Sequence, residues 1–443
     1  SIISYNSNSQ SWNINYSDKI MRKDQTLVIY HDGFTKNAST TSEHVRSFLT
    51  YIDTPVISLD TAFIFSDKYL KLIEKKNVTH IILLYSLFGY MPFSIPKELD
   101  AYLVKSNAKK IAFFQDENQS CKERFKIVDN YEVKTVFTIL EKKYHKEVYL
   151  DNTSCKSVYT TLTGYVDDNL IKLAEKYKKK YEDRSCDVGY RARPLPIYLG
   201  LGAQEKTDIA KKFIQHAKDT NLTMDIQTSE ESRLYGEDWN KFLGNCRCVL
   251  GVEAGTSIFD TNDHMKNEME HYIKENPLTS EKELWDKVLK PYEKVINYRQ
   301  ISPRIFESAI FRNLMILFEG KYTSVVEAGK HYIELKKDFS NIDEVIEKAQ
   351  DPFVYQRITD RAYNDLILSG KYSYRLFIED FCKKVGIKYV DKKKKNENEV
   401  TYYPSTSLVF CYKIYSKMAS FLKFNFIGRN FLRKIMRRIL GIN

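Results

Sequence analysis

At 443 residues, 43% of them hydrophobic and 14% aromatic, the chain is excluded from the disordered class and has material for two or three packed domains. Its seven cysteines are odd in number and include no C-x-x-C pair, which argues against a disulfide framework and for a reducing, cytoplasmic setting. No run of 18 apolar residues occurs, so no spanning helix is expected. The net charge of +11 does not point to nucleic acid, because eight Lys or Arg and no acid fall in residues 404–443 and the rest is nearly neutral, with 61 basic against 58 acidic residues.

Residues 1–24 are Ser- and Asn-rich and aperiodic, and read as a poorly ordered lead-in. From Thr26 the apolar runs TLVIYHD, VISLD, THIILLYSLF, KKIAFFQDE, KTVFTIL and SVYTTLTGY alternate with amphipathic stretches such as 42–51 and 67–76. Strands alternating with helices predict a parallel sheet covered on both faces, here over 25–183. Ligands of such sheets bind beyond the carboxyl ends of the strands. His31 and Asp32 after the first strand, and Asp116 and Glu117 after the fourth, are therefore candidates to position or deprotonate a hydroxyl. Ordinary turn chemistry at strand ends is the competing explanation.

The Lys- and Glu-rich helix at 168–183 reads as a connector. A second series follows over 184–388, with strands in CDVGYRA, LTMDIQT, CRCVLGVEAG, LMILFE and HYIELK and helices at 204–219, 238–245, 265–275, 280–289 and 303–313. The predicted class is α/β, two Rossmann-like doubly wound domains facing a cleft. Helices at 353–368 and 373–385 either close the second domain or cross back to the first.

Arg191 and Arg193 follow a strand, and Lys206 lies just after Gly200-Leu201-Gly202 at a helix start. Guanidinium forks, an ammonium and free helix-start N–H groups suit a diphosphate. The spacing is neither a Walker loop nor G-x-G-x-x-G, and exposed basic residues beside a loop are equally ordinary. Glu253, between Gly251 and Gly255, suits a sugar-hydroxyl contact or a plain turn. Ser302 as N-cap and Pro303 at the first position predict a helix. Ile305, Phe306, Ala309 and Ile310 share one face of it, with Arg304, Glu307 and Phe311 opposite. An i,i+3 salt bridge between Arg304 and Glu307 is the simpler reading of that pair. No HxH or HExxH spacing and no G-x-S-x-G elbow occurs, and Asp260-Thr-Asn-Asp263 reads as a turn or helix cap, so neither a metal site nor a tightly bound cofactor is expected.

The segment SPRIFESAIFRNLMILFEG, followed by GKHYIELKKDFSNIDEVIEKAQD, resembles the end of the donor domain of group 1 bacterial glycosyltransferases of the GT-B fold. The resemblance extends over roughly 186–381 and reaches 26–165 only as a strand–helix pattern. It implies transfer of a sugar from a nucleotide-sugar donor to a surface-glycan or lipid-linked acceptor, with no Mg²⁺ requirement. It also implies that Glu307 holds the nucleotide ribose and that Lys206, with Arg191 or Arg193, holds the diphosphate. Where many retaining members carry a second Glu, eight positions earlier, this chain has Arg299. Retention and inversion both stay open, and inversion would draw its base from His31, Asp32, Asp116 or Glu117. A sugar-nucleotide epimerase of the same fold and a non-catalytic membrane adaptor are the alternatives.

Residues 389–443 complete the chain as a charged linker and a basic tail. Phe431, Leu432, Ile435, Met436, Ile439 and Leu440 fall on one helical face, with Arg429, Arg433, Lys434, Arg437 and Arg438 around them. This is the pattern of an amphipathic helix lying on an anionic membrane, here the inner face of the cell membrane. Packing on the protein body is the other outcome.

Overall fold

The computed structural model describes residues 3–6, 11–14, 24–32, 39–63 and 68–391. The predicted amphipathic tail lies outside the described residues. Within the expected irregular lead-in, β1 (Ile3–Asn6) and β2 (Ser11–Ile14) pair antiparallel.

The first domain carries β3 (Gln25–Tyr30), β4 (Val56–Asp60), β5 (Val78–Leu83), β6 (Lys109–Phe114), β7 (Thr135–Thr138) and β8 (Ser157–Thr160). All neighbours are parallel in the order β4-β3-β5-β6-β7-β8. The strands are buried on both faces, which is why they read as unbroken apolar runs. The chain reverses direction across the sheet between β3 and β5, and that opens a crevice at their carboxyl ends.

The second domain has β9 (Cys186–Arg191), β10 (Met224–Gln227) and β11 (Cys246–Gly251). A separate antiparallel pair comes next, β12 (Ala254–Ile258) with β13 (Glu293–Gln300), and then β14 (Leu314–Phe318) and β15 (Ile333–Leu335). The parallel sheet runs β10-β9-β11-β14-β15, with its reversal between β9 and β11.

The pair β12–β13 corrects the sequence reading, which ran one strand through CRCVLGVEAG and placed none between the helices at 280–289 and 303–313. The chain leaves the sheet after Gly251, and Gly255, at φ 85°, lets β12 close on β13, since a side chain there would strike the Tyr298 carbonyl. This pair does not stay with its own domain. Phe259, Ile296 and Tyr298 are buried in the core on one face of the first sheet, with Leu27, Ile81 and Phe114.

The opposite face of that sheet is covered by the helix Tyr374–Val385, whose Phe377, Ile378 and Phe381 bury against Val28, Phe48 and Phe113. Of the two outcomes left open for this helix, crossing back is the one found. Ser373 caps its start through the Leu376 N–H, Gly386 ends it at φ 77°, and a bridge from Ile52 to Tyr389 pins the chain beyond it to the first domain.

Candidate active site

The helix Arg304–Ile310 forms where its punctuation predicted, although the Ser302 hydroxyl accepts only a long bond of 3.4 Å from the Arg304 N–H. Ile305, Phe306, Ala309 and Ile310 are buried, which leaves Arg304 and Glu307 facing out of the second sheet's carboxyl edge. Phe311, expected on that outer face, is fully buried, because the helix has already ended there. No salt bridge joins Arg304 to Glu307 among the described residues. The indole Nε1 of Trp239 donates to Glu307 Oε2 at 2.8 Å, while Arg304 lies over the Trp239 ring at 5.0 Å and donates to the Arg191 carbonyl. Burial raises the Glu307 carboxyl above its ordinary range, and Arg304 and Trp239 partly oppose this.

Lys206 sits in the second turn of the helix Leu201–Ala217, half-buried, with no hydrogen bond or ion pair to any described residue. Loss of solvent is the largest influence on it, and Arg304, Arg299 and Arg193 add like charge; together they push its pKa down to about 8. Asp116, from the first domain, pulls the other way. The Asp116 carboxylate is exposed and has no partner among the described residues. Its backbone is left-handed at φ 53°, a conformation that Asp tolerates and that functional sites often hold. Arg124 fixes it by donating to the carbonyls of Asp116 (3.1 Å) and Phe88 (2.9 Å). Lys206 and Asp116 therefore come from different domains and lie within one another's field.

His31 and Asp32 lie at the reversal point of the first sheet. His31 Nδ1 is 2.8 Å from Thr61 Oγ1, the His31 N–H reaches Ser86 Oγ at 3.0 Å, and the Asp32 N–H reaches Asp60 Oδ1 at 3.1 Å. Arg193 is exposed, 3.9 Å from Glu230.

Four expectations are corrected. Arg191 turns its guanidinium onto Asp225, with Nη2 2.8 Å from both carboxylate oxygens, so only its carbonyl reaches Arg304. Glu253 is buried and accepts the N–H groups of Lys321 (3.1 Å) and Tyr322 (2.9 Å), which makes it the anchor of that turn and not a sugar ligand. Glu117 is fully buried beneath Asp116, where the hydroxyls of Thr138, Tyr149 and Tyr298 donate to it. Burial raises its carboxyl to about 8. Finally, the start of the helix Leu201–Ala217 is already capped: Ser257 Oγ accepts from the Gly202 N–H at 2.7 Å and Glu293 Oε2 from the Leu201 N–H at 3.3 Å. Gly202 is small because Arg299 and Ser257 occupy its Cβ position. Arg299 itself pairs with Glu205 at 2.5 Å, and Asp260 accepts the N–H groups of Met265 and Lys266 as a helix cap.

Sequence reasoning missed Trp239, one of only three tryptophans, and Glu43. Glu43 stands on the helix Thr40–Tyr51 within the field of Glu307 and Asp167, and burial raises its pKa to about 7. Neither carried a local signal, since both matter through contacts made from other elements. His44, beside Glu43, is enclosed by Tyr85, Tyr165, Tyr374 and Phe377 and pushed down to about 4, so it is a core residue.

No protein-family model and no curated protein matches the sequence. Among solved structures the chain is similar to TarM, at 11% identity over 71% of this chain and 56% of that one, with a TM-score of 0.41. It is similar to an alpha-glucosyltransferase in complex with UDP, at 12% identity over 81% of this chain and 99% of that one, TM-score 0.47. For Anabaena Alr3699/HepE in complex with UDP and glucose the values are 10%, 82%, 99% and 0.46. At such identities the likeness concerns the fold, and no site residue owes its assignment to it. Two facing doubly wound domains with a closing helix that crosses back are the GT-B arrangement.

Proposed function

We propose that the protein is a glycosyltransferase that takes a sugar from a nucleotide-activated donor. The observation that carries this reading is the charge arrangement in the cleft. Lys206 is half-buried and unpartnered among the described residues, and Arg193, Arg299 and Arg304 act on it from nearby. A diphosphate supplies the anionic partner that Lys206 lacks, and the same cations stabilise it as a leaving group. Glu307, on the same edge, accepts the ribose hydroxyls. Asp116 on the facing wall is the base that takes the acceptor's proton, with His31 and Asp32 lining the acceptor side.

The acceptor is a surface glycan or its lipid-linked precursor. The acid-free basic segment 404–443 supports attachment to an anionic membrane surface. No described helix is long and apolar enough to cross a membrane.

The test is a thermal-shift and turnover screen with UDP, GDP, CMP and dTDP and their sugars. One nucleoside diphosphate should raise the melting temperature, and the matching donor alone should be slowly hydrolysed. No shift with any of them overturns the reading, and an isomerised donor converts it to an epimerase. Asp116→Asn should lower kcat about 10²-fold or more with donor binding retained.

A further inference from the structure

Trp239 and Phe242 lie three apart on the helix Gly236–Asn245 and stack at 5.4 Å between two arginines. Arg304 covers the outer face of Trp239 at 5.0 Å, and Arg191 covers Phe242 at 4.5 Å. The ends are tied, because Arg304 donates to the Arg191 carbonyl. At one edge of this pile the indole Nε1 holds Glu307 Oε2 at 2.8 Å, and Oε1 has no hydrogen-bond partner among the described residues.

Resting on the glycosyltransferase reading, we infer that Trp239 is the positioning residue that makes this site select a ribonucleoside diphosphate. An indole N–H is a donor only, so it can hold one carboxylate oxygen and never compete for the other. With Oε2 fixed, Glu307 presents Oε1 in one orientation to a ribose hydroxyl. Without that bond the carboxylate has no hydrogen-bond partner among the described residues to hold its rotamer, and Glu43 stands within its field. The same ring carries the Arg304 guanidinium, whose charge acts on Lys206, so one side chain sets both the sugar-hydroxyl acceptor and a phosphate donor. Selectivity against a missing hydroxyl is strong only where a site's polar group would be left unpaired, and a fixed carboxylate oxygen meets that condition.

Trp239→Phe keeps an aromatic ring for Arg304 and Phe242 while removing the N–H and part of the ring area, and the loss of area acts on ribo and deoxy ligands alike. Titration calorimetry would compare UDP with 2′-deoxy-UDP and 3′-deoxy-UDP, or the equivalent series for whichever nucleoside diphosphate the native chain binds. The native chain should prefer the ribonucleotide over at least one deoxy form. In Trp239→Phe the ribonucleotide should weaken about tenfold, as for loss of a charge-assisted hydrogen bond, with the deoxy forms unchanged and the preference gone. In a Glu307→Gln background, Trp239→Phe should have no further effect on the preference. A Trp239→Phe chain that melts like the native one and keeps its preference overturns the inference while leaving the glycosyltransferase reading intact. A native chain that binds no nucleoside diphosphate overturns both. Equal weakening of ribo and deoxy forms shows that Trp239 serves only to hold the fold, and also overturns the inference.

Discussion

Lys206 keeps its charge against three arginines and a loss of solvent, and this has two measurable consequences. Its pKa in the folded chain, about 8, lies below the ordinary lysine value of ~10.4, so between these limits the unfolded chain binds more protons than the folded one. Its contribution to stability therefore rises with pH through that window, and at neutral pH the charged ammonium destabilises the fold. Lys206→Met should melt higher than the native chain at pH 7 and lose that advantage by pH 10, read by thermal unfolding. A bound diphosphate reverses the local field, so nucleotide binding at pH 8.5 should take up a proton, seen as a buffer-dependent calorimetric enthalpy that Lys206→Met lacks. Glu117 has the opposite sign. Raised to about 8, its protonated form favours the fold, and that stability is lost as pH rises from ~4.5 towards 8. Glu117→Gln cannot ionise and should gain melting temperature relative to the native chain across that window. Its kcat should stay within about threefold of native, because the carboxyl lies beneath the cleft and not in it. Of the residues named from sequence, Lys206 and Asp116 keep their charged groups without a partner among the described residues and Glu307 keeps one oxygen so, whereas Arg191, Glu253 and Glu117 are consumed by Asp225, two backbone N–H groups and three hydroxyls. Charged residue types occur in both groups, and Asp116 and Glu117 even follow the same strand. Only the identity of the nearest partner separates them, and each partner lies dozens of residues away.

Elements were easier to read than partners, because helices and buried strands announce themselves within a few residues. The helix Arg304–Ile310 and the parallel strands β3 to β7 obey local punctuation and apolar runs. The pair β12–β13 does not: Glu293–Gln300 alternates weakly, Val295 is exposed, and the strand exists because Gly255 admits it and the first domain's core receives it. Ile296, at 2% exposure, is one of its anchors in that core. Ile296→Ala should cost about 2–5 kcal/mol by urea unfolding, with the slope unchanged, although the residue belongs in sequence to the other domain. It should also loosen Tyr298, whose hydroxyl bonds Glu117 at 3.2 Å, and through it the loop that carries Asp116.

Across the whole molecule, the second domain grips the first on both sides of its sheet, with β12–β13 on one face and the helix Tyr374–Val385 on the other. Two domains joined only by a linker would melt separately. Here calorimetry should show one transition, and a chain ending at residue 373 should aggregate, because Phe48 and Phe113 lose the cover of Phe377 and Phe381. Two separable transitions would contradict this. From its own pattern the sequence determined the α/β class, the run of strands and helices in each half, and the helix that carries Glu307, since each depends on periodicity and capping within one turn or strand. The tertiary structure alone decided which charged side chains are left without partners among the described residues, that Trp239 bonds Glu307 and stacks with Arg304, and that the two domains share their cores. Those outcomes depend on which distant groups neutralise or bury one another, and no window of contiguous residues contains that information.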